Sequence, residues 1–394
     1  MSKLVLSINA GSSSLKFKLF SMPEENCILV GQFDGINSDE TLFKTELLGK
    51  KIISDLGFCN FERSIDQLLD YLVDQDIIDK LESLALIGHR VAHGGETFSS
   101  STMIDKKVIA QLDKLSRLAP IHNPINLFCI QKFMDKLPNA KQIAVFDTAF
   151  HQSIKPEHYL YPLPYRLYAE HGIRRFGFHG ISHQYIAETV YEKINSNSNQ
   201  RIISCHLGNG ASICAISNGK SMMTSMGYTP LAGLMMGTRC GDIDPALPRI
   251  IAEVENIGMG EVEKMMNHES GLLGISELSN DCRKLNMAKD QGNEQAALAL
   301  SIFSNRVTQT IGAYAALMGG VDAIVFTGGI GENSATCRSE ICQGLEFMGV
   351  DFDQQSNAKG FEVVSRPDSK VQVLVVNTDE ELMISREVIK LTAV

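Results

Sequence analysis

One pattern occurs twice, half a chain apart, and it limits the fold more than any other feature of the sequence. Near the start, Leu4, Leu6 and Ile8 alternate with other residues, the small residues Ala10-Gly11-Ser12-Ser13-Ser14 intervene, and Leu15, Phe17 and Leu19 resume the alternation. From Arg201, Ile202-Ile203-Ser204-Cys205-His206 leads into Leu207-Gly208-Asn209-Gly210-Ala211-Ser212 and then Ile213-Cys214-Ala215-Ile216. Apolar runs broken by glycine and serine predict a strand, a tight turn and a second strand. Gly11 and Gly208 are separated by half of the 394 residues, so the chain reads as two domains of one fold. Chance similarity of two hairpins is the rival reading.

Helical periodicity fills much of the remainder. Val108, Ile109, Leu112 and Leu115 share a face, Ser182 is placed to cap a helix running to about Ile194, and Asn293 to Met318 is long, apolar and alanine-rich. A short buried-strand candidate, Ala323 to Thr327, follows, and the Asn- and Ser-rich stretch at 195–200 predicts a loop before the second repeat. Strands and helices mixed in this way give an α/β class. The boundary is placed near Phe150, ahead of Pro156, Pro162 and Pro164. The expected domains are residues 1–150 with a C-terminal helix at about 382–394, and residues 151–381.

Composition narrows the function. Formal net charge is −10, from 46 acidic and 36 basic residues, and no run of five or six like charges occurs. Nucleic acid and anionic membrane are therefore not expected partners. Small anions stay compatible, because a few focused arginines outweigh diffuse negative charge within a Debye length of about 10 Å. No stretch approaches the length of apolar residues that spans a bilayer, and the first ten residues are too short for a signal-peptide core. Nine cysteines, scattered from Cys27 to Cys342 without a C-x-x-C pair, point to neither zinc nor a redox dithiol, and a cytoplasmic home is expected.

Three segments place glycine directly after an apolar strand, where backbone N–H groups approach phosphate oxygens. They are Asn9-Ala10-Gly11-Ser12-Ser13-Ser14-Leu15-Lys16, His206-Leu207-Gly208-Asn209-Gly210 and Thr327-Gly328-Gly329-Ile330-Gly331-Glu332-Asn333. None is a standard fingerprint. Cys214 stands where a P-loop ending at Gly219-Lys220-Ser221 needs glycine, and Ile213 and Ser334 stand where the dinucleotide pattern needs its third glycine. One such segment is an ordinary turn, whereas three together point to phosphate. Arg90 and Arg239 both read as residues of glycine-flanked loops, and a guanidinium grips a carboxylate or phosphoryl group bidentately. A solvated ion pair is the plainer reading of either arginine alone. The pairs His89/His93 and His179/His183 have helical zinc spacing, but they lack the accompanying glutamate and the neighbouring glycines predict loops, so zinc is not expected.

In wording and order these segments resemble the acetokinase family, within the actin, Hsp70 and sugar-kinase superfamily. The matching strings are Ser7-Ile8-Asn9-Ala10-Gly11-Ser12-Ser13-Ser14-Leu15-Lys16, Gly88-His89-Arg90-Val91-Ala92-His93-Gly94-Gly95 and Phe146-Asp147-Thr148-Ala149-Phe150-His151. Arg175-Phe176-Gly177-Phe178-His179-Gly180, the segment from His206 to Gly210, Thr238-Arg239-Cys240-Gly241-Asp242 and Asn377-Thr378-Asp379-Glu380-Glu381-Leu382 continue the series, which covers essentially the whole chain.

The resemblance implies two duplicated ribonuclease-H-like domains with an interdomain nucleotide cleft. It also implies reversible in-line transfer of the ATP γ-phosphoryl to acetate, giving acetyl phosphate and ADP. It makes Arg90, Asp147, His179 and Arg239 catalytic: Arg90 on the acyl group, Arg239 and His179 on the equatorial oxygens. Asp147 matches an aspartate often assigned as acid or base, but a carboxylate substrate is already ionised at pH 7, so orientation of an arginine or of metal-bound water is the preferred role. Asn9 and Glu380 are assigned to Mg²⁺, with Mn²⁺ as a substitute. Ser12, Lys16 and the segment from His206 to Gly210 would meet the phosphates, and Asp281-Cys282-Arg283 and the segment from Gly329 to Asn333 would hold adenosine. Ala92, Ile121, Phe178 and Pro230 would line the acyl pocket. Many members of the family carry valine at the position of Ala92, so the smaller residue raises propionate or butyrate as an alternative substrate. A homodimer is implied as well. The alternative from another class is a protein that uses ATP as a conformational switch, which would need no paired arginines and would carry extra insertions.

Overall fold

A computed structural model describes residues 2–191, 193–194 and 200–393. Of the loop expected at 195–200, only Gln200 is among the described residues. The chain forms two compact units, residues 1–150 with 379–394 and residues 151–378.

The first unit is built on an eight-stranded sheet. Its strands are β1 (Lys3–Ala10), β2 (Ser14–Met22), β3 (Asn26–Asp34), β4 (Leu42–Leu47), β5 (Lys50–Asp55), β6 (Leu86–Val91), β7 (Thr102–Met103) and β8 (Lys141–Phe146). They lie in the order β5-β4-β3-β2-β1-β6-β8-β7. The second unit has β9 (Arg201–Leu207), β10 (Ala211–Ser217), β11 (Lys220–Thr224), β12 (Ala323–Thr327) and β13 (Gln372–Val375), ordered β11-β10-β9-β12-β13.

The two sheets share a plan. In the first, β1, β2 and β3 form an antiparallel meander, and β6 and then β8 add in parallel on the other side of β1. In the second, β9, β10 and β11 form the meander, and β12 and then β13 add in parallel beside β9. The repeated hairpin is thus the start of the same five-stranded arrangement in each unit. Each turn is closed by its own backbone: Gly11 N–H donates to Ser14 C=O at 2.8 Å, and Gly208 N–H to Gly210 C=O at 3.1 Å.

Central β1 is buried on both faces, not on one as simple alternation implies. Leu6 and Ile8 join a core with Phe17, Phe33, Leu68 and Phe133, while Val5 and Ser7 are also fully buried. The helix Glu380–Thr392 covers the second face: Ser7 Oγ donates to Glu381 C=O at 2.7 Å and meets Ser385 Oγ at 2.8 Å. That helix begins three residues after Asn377, with Asp379 capping Leu382 N–H at 2.8 Å. Gly88 on β6 lets it approach, since a Cβ there would come 2.4 Å from Ile384 Cγ2.

Three sequence expectations change. Ser182 does not cap a helix, because the helix already starts at Gly180, immediately after His179 at φ 56°, and Ser182 is buried within its first turn. Arg90 and His89 lie on a strand, β6, not in a loop, because parallel pairing to β1 and β8 carries the strand through to Val91. His183 likewise lies on the helix Gly180–Tyr191. The long helix Glu294–Met318 forms as expected, capped by the Asn293 side chain on Ala296 N–H and ended by Gly319 at φ 68°.

Buried His89 makes the first unit acid-sensitive. Its Nε2 faces Gln142 Oε1 at 2.6 Å, and burial pushes the ring down to about 4 despite that bond. The unfolded chain binds this proton near pH 6.5, so the stability tied to neutral His89 is complete above about 6.5 and is lost as pH falls toward 4, by about 3 kcal/mol. Chemical unfolding at neutral and acidic pH is expected to show that loss, and His89→Gln is expected to reduce it.

Candidate active site

The residues singled out in the sequence gather into two clusters, one in each unit. In the first unit, Asn9 comes from the end of β1, Arg90 from β6, Asp147 from the residue after β8, and Glu380 and Glu381 from the first turn of the C-terminal helix. The adjacent C-terminal ends of parallel strands bring these polar groups together. Arg90 donates from Nε at 3.0 Å and Nη2 at 2.5 Å to Asp147 Oδ2, and from Nη1 at 3.2 Å to Asn9 Oδ1. Asn9 Nδ2 donates to Glu380 Oε2 at 3.4 Å and Glu381 Oε1 at 3.3 Å.

The cluster carries more negative than positive charge. Burial alone would lower the Arg90 guanidinium, but Asp147, with Glu380 and Glu381, holds it above its ordinary value. Burial pushes the Glu380 carboxyl up to about 7, with Asp147 and Glu381 adding to the push and Arg90 and Lys16 opposing it. Asp147 Oδ1 is buried with no hydrogen-bond partner among the described residues. An unpaired carboxylate oxygen beside further carboxylates and an amide oxygen is a hard-oxygen donor set suited to magnesium, which takes only one or two protein oxygens. Among the described residues no three His, Cys, Asp or Glu side chains form a metal cage.

Around this cluster Asn126 fixes the backbone, accepting from Ala92 N–H at 3.1 Å and donating to Ala10 C=O at 2.9 Å. Ala92 is buried, Ser12 and Lys16 are exposed at the hairpin turn, and Ile121 is 59% exposed. Ile121 is thus a surface residue within its own unit.

In the second unit, Arg239 and His179 converge on the turn after β9. A Cβ placed at Gly210 would lie 3.6 Å from Arg239 Nη1 and 3.6 Å from His179 Nε2. Arg239 donates to Pro230 C=O at 3.3 Å and Met236 Sδ at 3.6 Å, and among the described residues no carboxylate pairs with it. Burial lowers its guanidinium. A half-buried cation with only neutral partners favours an incoming anion. His179 stacks on His206 with ring centroids 4.3 Å apart, and His206 Nδ1 meets Ser182 Oγ at 2.8 Å, which in turn meets Thr378 Oγ1 at 2.9 Å. Phe178 is buried in the core of this unit.

The same turn borders a pocket of about 970 Å³ lined by Gly208, Asn209, Asn280 to Arg283, Asn286, Gly329, Ile330 and Asn333 to Thr336. A cavity of this size takes a nucleoside. Asp281 caps the helix Cys282–Asp290 and pairs with Arg283 at 2.9 Å. Gly237 keeps the wall in place, since a Cβ there would come 1.9 Å from Asn209 Oδ1.

Four sequence candidates point elsewhere. Leu207 is wholly in the core, and His206 and Gly331 are not on the pocket wall. Glu332 turns inward, its Oε1 accepting from Gly328 N–H at 2.9 Å, Thr378 N–H at 3.1 Å and Thr327 Oγ1 at 3.2 Å. It organises the glycine turn from behind. Sequence reasoning missed Arg338, which is buried and donates to Gly331 C=O, Glu332 C=O and Asn357 Oδ1. It also missed Asn280 and Asn286 on the wall; the only local signal was their nearness to Asp281.

The model of the acetokinase family matches residues 4–386 of the chain. An acetate kinase of Geobacillus sp. (strain WCH70) is 49% identical over 394 residues, covering 99% of each chain. A propionate kinase of Yersinia enterocolitica is 46% identical over 398 residues, covering 99% of this chain and 97% of the relative. The crystal structure of Porphyromonas gingivalis acetate kinase superposes with a TM-score of 0.92 at 41% identity, covering 98% of this chain and 99% of the other.

Proposed function

The chain belongs to the acetokinase family, and from that premise we propose that it transfers the γ-phosphoryl of ATP directly and reversibly to acetate, yielding acetyl phosphate and ADP. The observation that carries the reading is the turn Gly208 to Gly210, which borders both a nucleoside-sized pocket and the convergence of Arg239 with His179. Phosphoryl transfer to a carboxylate brings two anions together, so the protein must supply cations where charge accumulates on the equatorial oxygens. In this reading Arg239 and His179 meet those oxygens, and Arg90 holds the acyl group. Asp147 orients Arg90, because the acceptor carboxylate has no proton to give up at pH 7. Ser12, Lys16 and the turn from Gly208 to Gly210 serve the phosphates; Asp281, Cys282, Arg283, Gly329, Ile330 and Asn333 serve adenosine. Asn9 and Glu380 are the residues that would hold magnesium, whose charge offsets that of the phosphates. Purified protein given acetyl phosphate, ADP and Mg²⁺ is expected to form ATP, read by luciferase. No ATP would overturn the reading.

Propionate is the second reading, favoured by the small, buried Ala92 and by the propionate kinases among the relatives. Ala92→Val is expected to lower the propionate-to-acetate ratio of kcat/KM by about tenfold, because an apolar pocket discriminates a methylene by about 1 to 3 kcal/mol. An unchanged ratio would remove Ala92 from the specificity account.

We also infer a homodimer. The helix Leu247–Glu255 buries none of its residues against its own chain and leaves Leu247, Ile250 and Val254 on one exposed face, Val254 at 74%. Such a stripe on a helix favours a second copy. Sedimentation is expected to give twice 43.3 kDa, and Val254→Lys to give the monomer. All nine cysteines are unpaired thiols, which supports a reducing, cytoplasmic location. Among the described residues no helix is long and apolar enough to cross a membrane.

A further inference from the structure

In the second unit a file of hydrogen bonds runs from the core to the imidazole of His179. Ser204 on β9, His183 on the helix Gly180–Tyr191 and Ser212 on β10 are all fully buried. Ser204 Oγ lies 2.9 Å from His183 Nδ1, and His183 Nε2 lies 2.8 Å from Ser212 Oγ. Ser212 Oγ in turn lies 2.9 Å from His179 Nδ1. Three contacts therefore join four side chains, and counting hydrogens gives them a direction.

Burial keeps the His183 ring neutral, with His151 and His206 acting the same way, so one of its nitrogens carries a hydrogen and the other a lone pair. The Ser204 hydroxyl has His183 Nδ1 as its one hydrogen-bond partner among the described residues. If Ser204 does not donate there, its hydrogen is stranded in the core, which disfavours that arrangement by about tenfold or more. With Ser204 donating to Nδ1, His183 carries its hydrogen on Nε2 and donates to Ser212. The Ser212 oxygen keeps a second lone pair, but its single hydrogen has no other partner among the described residues and would be stranded in the core unless it goes to His179 Nδ1. With Nδ1 accepting from Ser212, the ring hydrogen of His179 is on Nε2. The reverse direction strands the Ser204 hydrogen and leaves His179 Nε2 bare.

We propose that Ser204, His183 and Ser212 form a one-way hydrogen-bond relay that holds His179 as an Nε2–H donor. Nε2 is the atom that converges with Arg239 Nη1 at Gly210, each 3.6 Å from the Cβ position there. The use of that donor rests on the phosphoryl-transfer reading; the tautomer does not. A fixed N–H needs no reorganisation as charge builds on a phosphoryl oxygen, whereas a bare nitrogen would repel it. Ser204, His183 and Ser212 are positioning residues that act through His179.

The test is long-range proton–nitrogen NMR of the full chain labelled with ¹⁵N-histidine, near neutral pH, with His179→Gln and His183→Gln used to assign the signals. Both rings are expected as Nε2–H tautomers. In Ser204→Ala the second tautomer is expected to appear at both rings together, with kcat falling about two- to threefold at unchanged KM for either substrate. Ser204→Thr, which keeps the hydroxyl, is expected to restore both properties. A hydrogen on His179 Nδ1 in the unaltered protein overturns the relay, and so does a fall in kcat for Ser204→Ala without a tautomer change. Should Ser204→Ala fail to fold, the unaltered protein's spectrum decides alone. Failure of that protein to make acyl phosphate would sink the kinase reading and leave the tautomer result standing.

Discussion

Changing Arg239 to alanine is expected to lower kcat for acyl phosphate formation by about 10³-fold while leaving stability nearly unchanged. The two halves of that expectation come from the same contacts. Among the described residues Arg239 has a carbonyl and a thioether as partners and no carboxylate, so its removal strands no buried charge. On the proposed reading, what is lost is a cation where a phosphoryl group gathers charge, an effect worth about 10³ or more in comparable enzymes. Arg239→Lys is expected to recover little, because a point charge does not reproduce the planar fork. Hydroxylamine trapping gives the rate, and thermal unfolding gives the stability. A variant that retains kcat within a few-fold would remove Arg239 from the transition state.

Arg90 is expected to behave differently. Its guanidinium is ion-paired to Asp147, whose side chain is 2% exposed, so Arg90→Ala leaves a buried carboxylate without its cation. Breaking a buried pair from one side costs about 3 to 5 kcal/mol. Arg90→Ala is therefore expected both to abolish turnover and to lower the denaturant midpoint. Adding Asp147→Asn should recover much of the stability and none of the activity. Recovered activity in the double variant would mean that Arg90 serves only to neutralise Asp147.

What could be read from the sequence, and what could not, follows from the range of the interactions. The hairpin of β1 and β2, its repeat in β9 and β10, the helix Glu294–Met318 and strand β12 are written in local alternation, turn residues and caps, and they form where expected. Ser182 does not act as a cap because its hydroxyl is used by His206 and Thr378, distant in sequence, and not by the backbone of its own helix. Arg90 looked like a loop residue because glycine flanks it, yet Gly88 is there to admit the C-terminal helix. Glu332 sits within a glycine segment, but three donors draw it behind the turn. Arg338 and the relay through Ser204 have no local signature at all, since each depends on partners supplied by other elements.

The central claim is that Arg90 and Arg239 serve one reaction, the phosphorylation of a short carboxylate by ATP. The most direct measurement is hydroxylamine trapping of acyl phosphate from purified protein with ATP and Mg²⁺, run with acetate, propionate and butyrate side by side and repeated with each arginine replaced. The expected result is an acetate-led signal that disappears in both variants. A signal led by propionate would move the substrate and keep the chemistry. No acyl phosphate from any of the three acids, with ATP still bound, would contradict the account and favour a protein that uses ATP as a conformational switch.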